Sequence, residues 1–246
     1  MFEFARLTDA GAAAALHALV FGEGERGVRA FYAPDAEREI HGVFDGDALV
    51  SALSFFPVEV GGAACVYMAG VCTHPDYRGR GLFRRNFAQA KAATAYDARN
   101  LFCIPANDNL FGLYESVGLR KRTCASLVSL YGSGSGGGYA FDGDYERLYA
   151  LYLASGPDVR HPFPLFRACV DNFLAAGSAY YVQDGFALID GAGVRFACGA
   201  DADGLRELLS GRFAWLTRAG QGNEVYMAAY CGDRIREETY INLLFN

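Results

Sequence analysis

The 246-residue sequence has no Cys-x-x-Cys pair; its seven cysteines, Cys65, Cys72, Cys103, Cys124, Cys169, Cys198 and Cys231, are scattered and odd in number. A zinc site or a disulfide framework needs close spacing or even pairing, so reduced thiols in a cytoplasmic setting are expected. Long blocks of like charge are missing as well, and 52% of the residues are hydrophobic. That excludes disorder over most of the length and suffices for a sizeable core. There is no basic surplus: 22 Lys and Arg stand against 28 Asp and Glu, a formal net charge of −6. General nucleic-acid binding, which neutralises phosphates, is therefore not expected, whereas a local basic pocket remains open. Met1 to Arg6 lacks a basic segment followed by an apolar run, so no secretory signal is expected.

One stretch is nearly free of charge. From Ala48 to Cys72 only Glu59 is charged, and the stretch by length resembles a membrane span. Pro57 and Gly61-Gly62 divide it, and Ala48 to Phe56 and Ala63 to Cys72 suit two buried strands joined by a turn. No membrane partner is expected. Upstream, Phe2 to Arg6 alternates as a strand, Asp9 can cap a helix running to Val20, and Glu25 to Tyr32 suits a second helix. Asp45-Gly46-Asp47 signals a hairpin. Leu82 to Tyr96 is predicted helical, Leu101 to Ile104 a strand, Leu110 to Val117 a short helix closed by Gly118, and Leu127 to Tyr131 a strand. Gly132 to Gly138 is a Gly/Ser-rich linker. The predicted organisation is thus residues 1–131, a linker at 132–138, and a smaller α+β unit at 139–246. In that unit Asp144 to Leu153 and Pro164 to Ala175 read as helices, Asp184-Gly185 as a hairpin turn, and Thr239 to Phe245 as a last strand.

The strongest chemical pattern is Val71-Cys-Thr-His-Pro-Asp-Tyr-Arg-Gly-Arg-Gly-Leu-Phe83. A strand runs through a tight turn into a Gly-rich, Arg-bearing loop, and a helix opens out of it. Gly79 and Gly81 allow close backbone approach, and the helix N-terminus adds positive partial charge, which together suit a pyrophosphate. Arg78, Arg80, Arg84 and Arg85 add full charges. The loop has neither the G-K-[ST] ending of a P-loop nor a G-x-G-x-x-G fingerprint, which disfavours nucleotide hydrolysis and dinucleotide binding.

This segment resembles motif A of the GNAT superfamily of N-acetyltransferases, [RQ]-x-x-G-x-[GA], through Arg78, Gly79, Arg80 and Gly81, with Leu82 at the free position. Phe83 departs, since the family usually has Gly or Ala there. Asn107 to Leu119, with Leu113-Tyr114-Glu-Ser-Val-Gly118-Leu119, is similar to the family's motif B at the right distance downstream. The resemblance covers about the first 130 residues. It implies a GNAT-like α+β fold with a mixed, mostly antiparallel sheet splayed between two central strands and flanked by helices, with acetyl-CoA as co-substrate in the cleft. Backbone groups of Val71, Cys72 and Thr73 would bind the pantetheine and the acyl carbonyl, and Arg78, Gly79, Arg80, Gly81, Leu82 and Phe83 the pyrophosphate. Asn107 would touch the pantetheine arm, and Tyr114 would lie near the thioester sulfur as a proton or hydrogen-bond donor.

The residues leave a bland role beside each of these. Asn107 suits a helix cap, which Asn109 could equally supply, and Tyr114 suits core packing. Glu59 is a candidate base, better read as a solvated turn residue; Asp76 and His74 are better read as loop-shaping. The Phe163 to Ile189 region and the ending Tyr240 to Asn246 resemble longer bacterial members, related to the enhanced-intracellular-survival acetyltransferases, in which a degenerate acetyltransferase-like half follows the catalytic one. In those relatives the C-terminal carboxylate acts as base, a role that would fall here to Asn246. The expected activity is N-acetylation of a primary amine on a small molecule or peptide; the different class is a non-catalytic acyl-CoA sensor. Phe55, Phe56, Trp215 and Tyr226 are candidates for an acceptor pocket but better read as core. The sequence leaves homo-oligomerisation open.

Overall fold

A computed structural model of the chain describes residues 1–132, 137–191, 193–209, 213–218, 223–237 and 239. The first half contributes β1 (Phe2–Leu7), α1 (Gly11–Phe21), α2 (Glu25–Phe31), β2 (Glu39–Asp45), β3 (Ala48–Val60), β4 (Ala63–Thr73), α3 (Leu82–Ala93), β5 (Leu101–Cys103), α4 (Phe111–Glu115) and β6 (Lys121–Tyr131). The second contributes β7 (Tyr139–Ala140), α5 (Tyr145–Ala154), β8 (Val159–Arg160), α6 (Phe163–Phe173), β9 (Ser178–Val182), β10 (Gly185–Asp190), β11 (Gly193–Cys198), α7 (Ala202–Leu209), β12 (Phe213–Arg218) and β13 (Asn223–Cys231). No helix among the described residues is long and apolar enough to cross a membrane.

The strands form one mixed, mostly antiparallel sheet in the order β1-β2-β3-β4-β5-β13-β6-β12-β11-β10-β9-β7, with β8 pairing β3. β4 and β5 are parallel, joined through α3, and β11 and β12 are parallel, joined through α7. The second half therefore repeats the first. Each has an edge strand, two helices, three antiparallel strands, a crossover helix, a parallel strand and a sixth strand. The sixth strands are exchanged: β13 pairs β5 of the first half, and β6 pairs β12 of the second.

Alternation of side chains along β3 explains the layers. Ala52 and Phe56 face the side covered by α1 and α2, whereas Leu53 and Phe55 face α3. On α3, Leu82, Phe83, Phe87 and Ala90 are buried, each large one stabilising by roughly 1.5–3 kcal/mol. One core cluster spans both halves, joining Phe31, Phe56 and Tyr67 to Tyr152, Phe166 and Phe186.

Several expectations shift. β3 passes through Pro57 to Val60, because β2 has already ended opposite Phe55 and no ladder donor is needed there. The β9–β10 turn is Gln183-Asp184 rather than Asp184-Gly185, since Gly185 already pairs Val182. Gly185 instead permits close approach of β11: a Cβ there would stand 1.8 Å from the Cys198 carbonyl oxygen. α3 ends at Ala93, three residues before Tyr96. β7, β8 and β12 were not anticipated. Residues 133–136 of the Gly/Ser-rich stretch and 240–246 of the expected last strand lie outside the described residues.

Candidate functional site

β4 pairs β5 only through Val66, Met68 and the residue between them. Beyond Met68 it continues to Thr73, and among the described residues Ala69 to Thr73 have no strand partner on that side. The sheet is open there. Within this segment β4 carries a bulge: Ala52 faces Cys72 and Ser54 faces Ala69, so Gly70 and Val71 together oppose Leu53. Gly70 adopts φ of 60°, and a Cβ on it would stand 2.7 Å from Phe31 Cζ. Glycine is required both by the left-handed backbone and by the close approach of α2.

The other β4 residues are fixed nearby. Ser51 Oγ donates to the Cys72 carbonyl at 3.0 Å and lies 3.0 Å from Thr73 Oγ1. The Cys72 side chain packs with Leu16 and Ala52, and burial pushes its thiol up to about 12. It is a thiol, not a thiolate, at neutral pH.

A single 3₁₀ turn, Pro75–Tyr77, follows, with His74 Nδ1 accepting from the Asp76 N–H at 3.3 Å. His74 and Asp76 are thus loop-shaping, as read from the sequence. Tyr77 donates to Asp45 at 3.0 Å, tying the loop to the β2–β3 hairpin. Arg78 Nε donates to the Thr73 carbonyl at 3.3 Å, and Arg80 Nη2 to the Asp76 carbonyl at 3.1 Å while stacking over Tyr77. Gly79 and Gly81 have φ of 76° and 71°, and a Cβ on either would meet nothing within 4 Å. The loop is open to a ligand on that side. α3 begins at Gly81 with no side-chain cap and no acidic residue in its first turn. Its first N–H groups are therefore available to an anion. Arg78, Arg80, Arg84 and Arg85 are exposed, and none is ion-paired among the described residues. Beside them a groove of about 460 Å³ runs between α3 and α4, lined by Arg84, Lys91 and Ser116.

Phe83 turns inward. It is buried, and its ring meets that of Tyr114 edge-on at 5.7 Å between centroids. The departure from the small residue usual at this position thus fills the space between α3 and α4 and leaves the outer face of the first turn clear. Tyr114, on α4, is buried with Met68 and Cys103, at the point where β4 and β5 part. Burial raises its phenol well above the ordinary value, with a smaller contribution from Cys103.

Asn107 supplies the helix cap itself: its Oδ1 accepts from the Asn109 N–H at 3.1 Å, ahead of α4. Asn109 receives the cap rather than making it. The Asn107 amide nitrogen keeps both its donors.

Glu59 lies elsewhere. It pairs with Arg160 of β8 at 3.6 Å, at the far end of β3 from the bulge; it lies in the strand rather than the turn, and its side chain is solvated, 42% exposed. Phe55 and Phe56 are fully buried core. Asn246 and the side chains of Trp215 and Tyr226 lie outside what is described. No disulfide forms among the described residues, and five of the seven cysteines are buried. Sequence reasoning passed over His17, a buried histidine in the Ala-rich α1 whose ring packs at a tilt against Phe31, 4.6 Å between centroids. A lone polar residue inside an otherwise apolar helix was the available signal.

A splayed mixed sheet, a bulged fourth strand and an uncapped crossover helix behind a glycine-arginine loop define a GNAT-type fold. Residues 3–119 match the family model described as an acetyltransferase (GNAT) domain. Solved structures share the fold over nearly the whole chain. A conserved protein of Enterococcus faecalis V583 aligns with TM-score 0.65 at 12% identity, covering 94% of this chain and 72% of that one. A GCN5-related N-acetyltransferase of Anabaena variabilis gives 0.61 at 11%, covering 94% and 72%. Eis1 of Mycobacterium abscessus gives 0.55 at 12%, covering 85% of this chain and 61% of its own. No curated protein matches the chain.

Proposed function

We propose that the protein transfers an acetyl group from acetyl-CoA to a primary amine of a small molecule or peptide by direct attack on the thioester. The observation that carries this is the uncapped N-terminus of α3, with four exposed arginines that make no ion pair among the described residues, beside the opening between β4 and β5. Backbone N–H groups and guanidinium groups of Arg78 to Phe83 hold the pyrophosphate. The pantetheine runs along the open edge of Val71, Cys72 and Thr73, where the Asn107 amide nitrogen meets it. The Cys72 and Thr73 carbonyls are already engaged by Ser51 and Arg78, so Val71 carries the greater share.

In the reaction the amine nitrogen bonds to the acyl carbon, the C–S bond breaks with its electron pair leaving on the coenzyme A thiolate, and the amine proton passes to water. Backbone N–H at the Gly70–Val71 bulge stabilises the charge developing on the carbonyl oxygen. Tyr114 is aimed at the leaving sulfur. A thiol titrates near ~8.5, well below the raised phenol, so Tyr114 stabilises the thiolate by a hydrogen bond rather than by surrendering its proton.

Calorimetry with acetyl-CoA, followed by a thiol-release assay over an amine panel, tests the reading. Binding with turnover that collapses in Tyr114→Phe supports it. Binding without turnover on any amine, indifferent to Tyr114→Phe, makes the protein an acyl-CoA sensor instead.

A further inference from the structure

Ser51 on β3 is 1% exposed, and no step of the reaction above uses its hydroxyl. It faces the α3 side of the sheet, since Val43, directly opposite on β2, packs with Leu82 at the start of α3. A buried hydroxyl needs hydrogen-bond partners, and Ser51 has two. Its Oγ donates to the Cys72 carbonyl at 3.0 Å and lies 3.0 Å from Thr73 Oγ1. A serine hydroxyl carries one proton. That proton is on the Cys72 carbonyl, so the Thr73 hydroxyl is the donor in the second contact and holds Ser51 in place.

The strand ladder fixes where the neighbouring peptide points. The His74 N–H donates to the Val50 carbonyl at 2.9 Å, a hydrogen-bonded position of the β3–β4 ladder. Such positions alternate in an antiparallel pair, so Ser51 and Thr73, one residue along, are a non-hydrogen-bonded pair. The N–H and C=O of Thr73 therefore point away from β3, toward the open edge beyond the end of β5. The Thr73 carbonyl accepts from Arg78 Nε at 3.3 Å, which leaves the N–H as the group it offers to a ligand. That N–H shares one planar unit with the Cys72 carbonyl. In a trans peptide the two point in opposite directions, and no peptide among the described residues is cis. Ser51, by holding the carbonyl on the β3 side, aims the N–H at the open side. A hydrogen bond accepted by the carbonyl also polarises the amide and strengthens its N–H as a donor.

We propose that Ser51 is a positioning residue for the cofactor: acting through the Cys72–Thr73 peptide, it directs and strengthens the Thr73 N–H, which donates to a carbonyl oxygen of the pantetheine arm. The proposal rests on the acyl-CoA reading and assigns part of that site's affinity to a side chain that never touches the ligand. The loop arginines and the α3 N-terminus hold the pyrophosphate without its help.

Acetyl-CoA and ADP serve as probes, because ADP carries the pyrophosphate without the arm. Ser51→Ala should weaken acetyl-CoA by about fivefold in calorimetry and leave ADP within about twofold. In the thiol-release assay the KM for acetyl-CoA rises by a similar factor with kcat nearly constant. Ser51→Thr, which keeps the hydroxyl, restores the affinity. Thr73→Val, which removes the hydroxyl that holds Ser51, lowers it, and the double variant Ser51→Ala with Thr73→Val is no worse than the weaker single one. The amide proton of Thr73 moves downfield in NMR when acetyl-CoA is added, and less so in Ser51→Ala. Equal losses for ADP and acetyl-CoA would make Ser51 a support of the loop only and overturn the proposal. Indifference of acetyl-CoA to Ser51→Ala, or a Thr73 amide that does not respond to bound acetyl-CoA, also overturns it, with the transferase reading left standing. Failure of the wild-type protein to bind acetyl-CoA overturns both.

Discussion

The fourth strand of each half leads into its crossover helix, but the two helix starts are prepared for different neighbours. α3 opens from Gly81 without a side-chain cap, among exposed arginines. At the start of α7, Asp201 Oδ1 accepts from the N–H groups of Asp203 at 3.0 Å and Gly204 at 2.9 Å. Gln183 Nε2 donates to the same oxygen at 2.9 Å, and Arg206 pairs with Asp203. A carboxylate already sits where a phosphate would bind, so the second half has spent the positive end of its helix on itself. The halves differ again after the parallel strand. Between β5 and β6 the chain has room for Asn107 and α4 with Tyr114, whereas only four residues separate Arg218 from Asn223, the facing ends of β12 and β13. Equal architecture thus carries an uncapped helix start once and a capped one once. The lesson is that the cap and the connecting loop, not the sheet, decide which half can hold an anion.

The comparison is broken most severely by cutting the chain. We read residues 132–138 as the joint between two repeats, yet ending the chain after Gly132 removes β13 from between β5 and β6. The expected result is loss of cooperative melting by circular dichroism, not an independent first domain. Tyr114→Phe comes next: kcat falls by about a hundredfold, while acetyl-CoA affinity by calorimetry is unchanged. Because the Tyr114 phenol is raised, it stays protonated across the alkaline range, so its loss of a proton sets no descending limb in kcat below about pH 10.

Gly81→Asp gives the first half the carboxylate that the second half has. It should weaken acetyl-CoA by about tenfold or more, and a variant that binds normally would remove the pyrophosphate from this loop. Asn107→Asp is milder. An aspartate keeps the cap on Asn109 but loses the amide donors, so melting stays constant while acetyl-CoA affinity falls several-fold. The smallest effect is at Asp201. Its carboxyl is held below the ordinary range first by the Gly204 N–H, then by Gln183. A depressed folded value means that its contribution is present above the unfolded carboxylate range, about pH 4, and is lost as pH falls through the folded value. Asp201→Ala should lower the melting temperature slightly at pH 7, lose that difference in acid, and leave acetyl-CoA binding untouched.

Local signals in the sequence served well where the physics is local. The Arg78–Phe83 loop, α3 and the short α4 rest on turn glycines and helical periodicity, and they lie where the sequence puts them. Asn107 could not be separated from Asn109 because both can cap, and only the chain direction at the 3₁₀ turn decides. The bulge at Gly70 had a sign, a glycine inside an apolar strand, which went unread. What the sequence could not carry is non-local. The exchange of β6 and β13 depends on pairing across about a hundred residues, and the packing of His17 against Phe31 depends on α2 folding back over β4. Glu59 stood out by isolation in sequence, but its partner Arg160 is a strand from the other half.

The exchanged sixth strands also bear on how the protein comes into being. While the chain is being synthesised, β5 is made well before β13, its eventual neighbour. The nascent first half must therefore wait with an unpaired sheet edge, the kind of surface that invites pairing with the wrong chain. Long-range pairing of this sort slows folding. Completion of the acyl-group pocket is consequently a late event, coupled to the arrival of a segment that itself contributes none of the loop arginines.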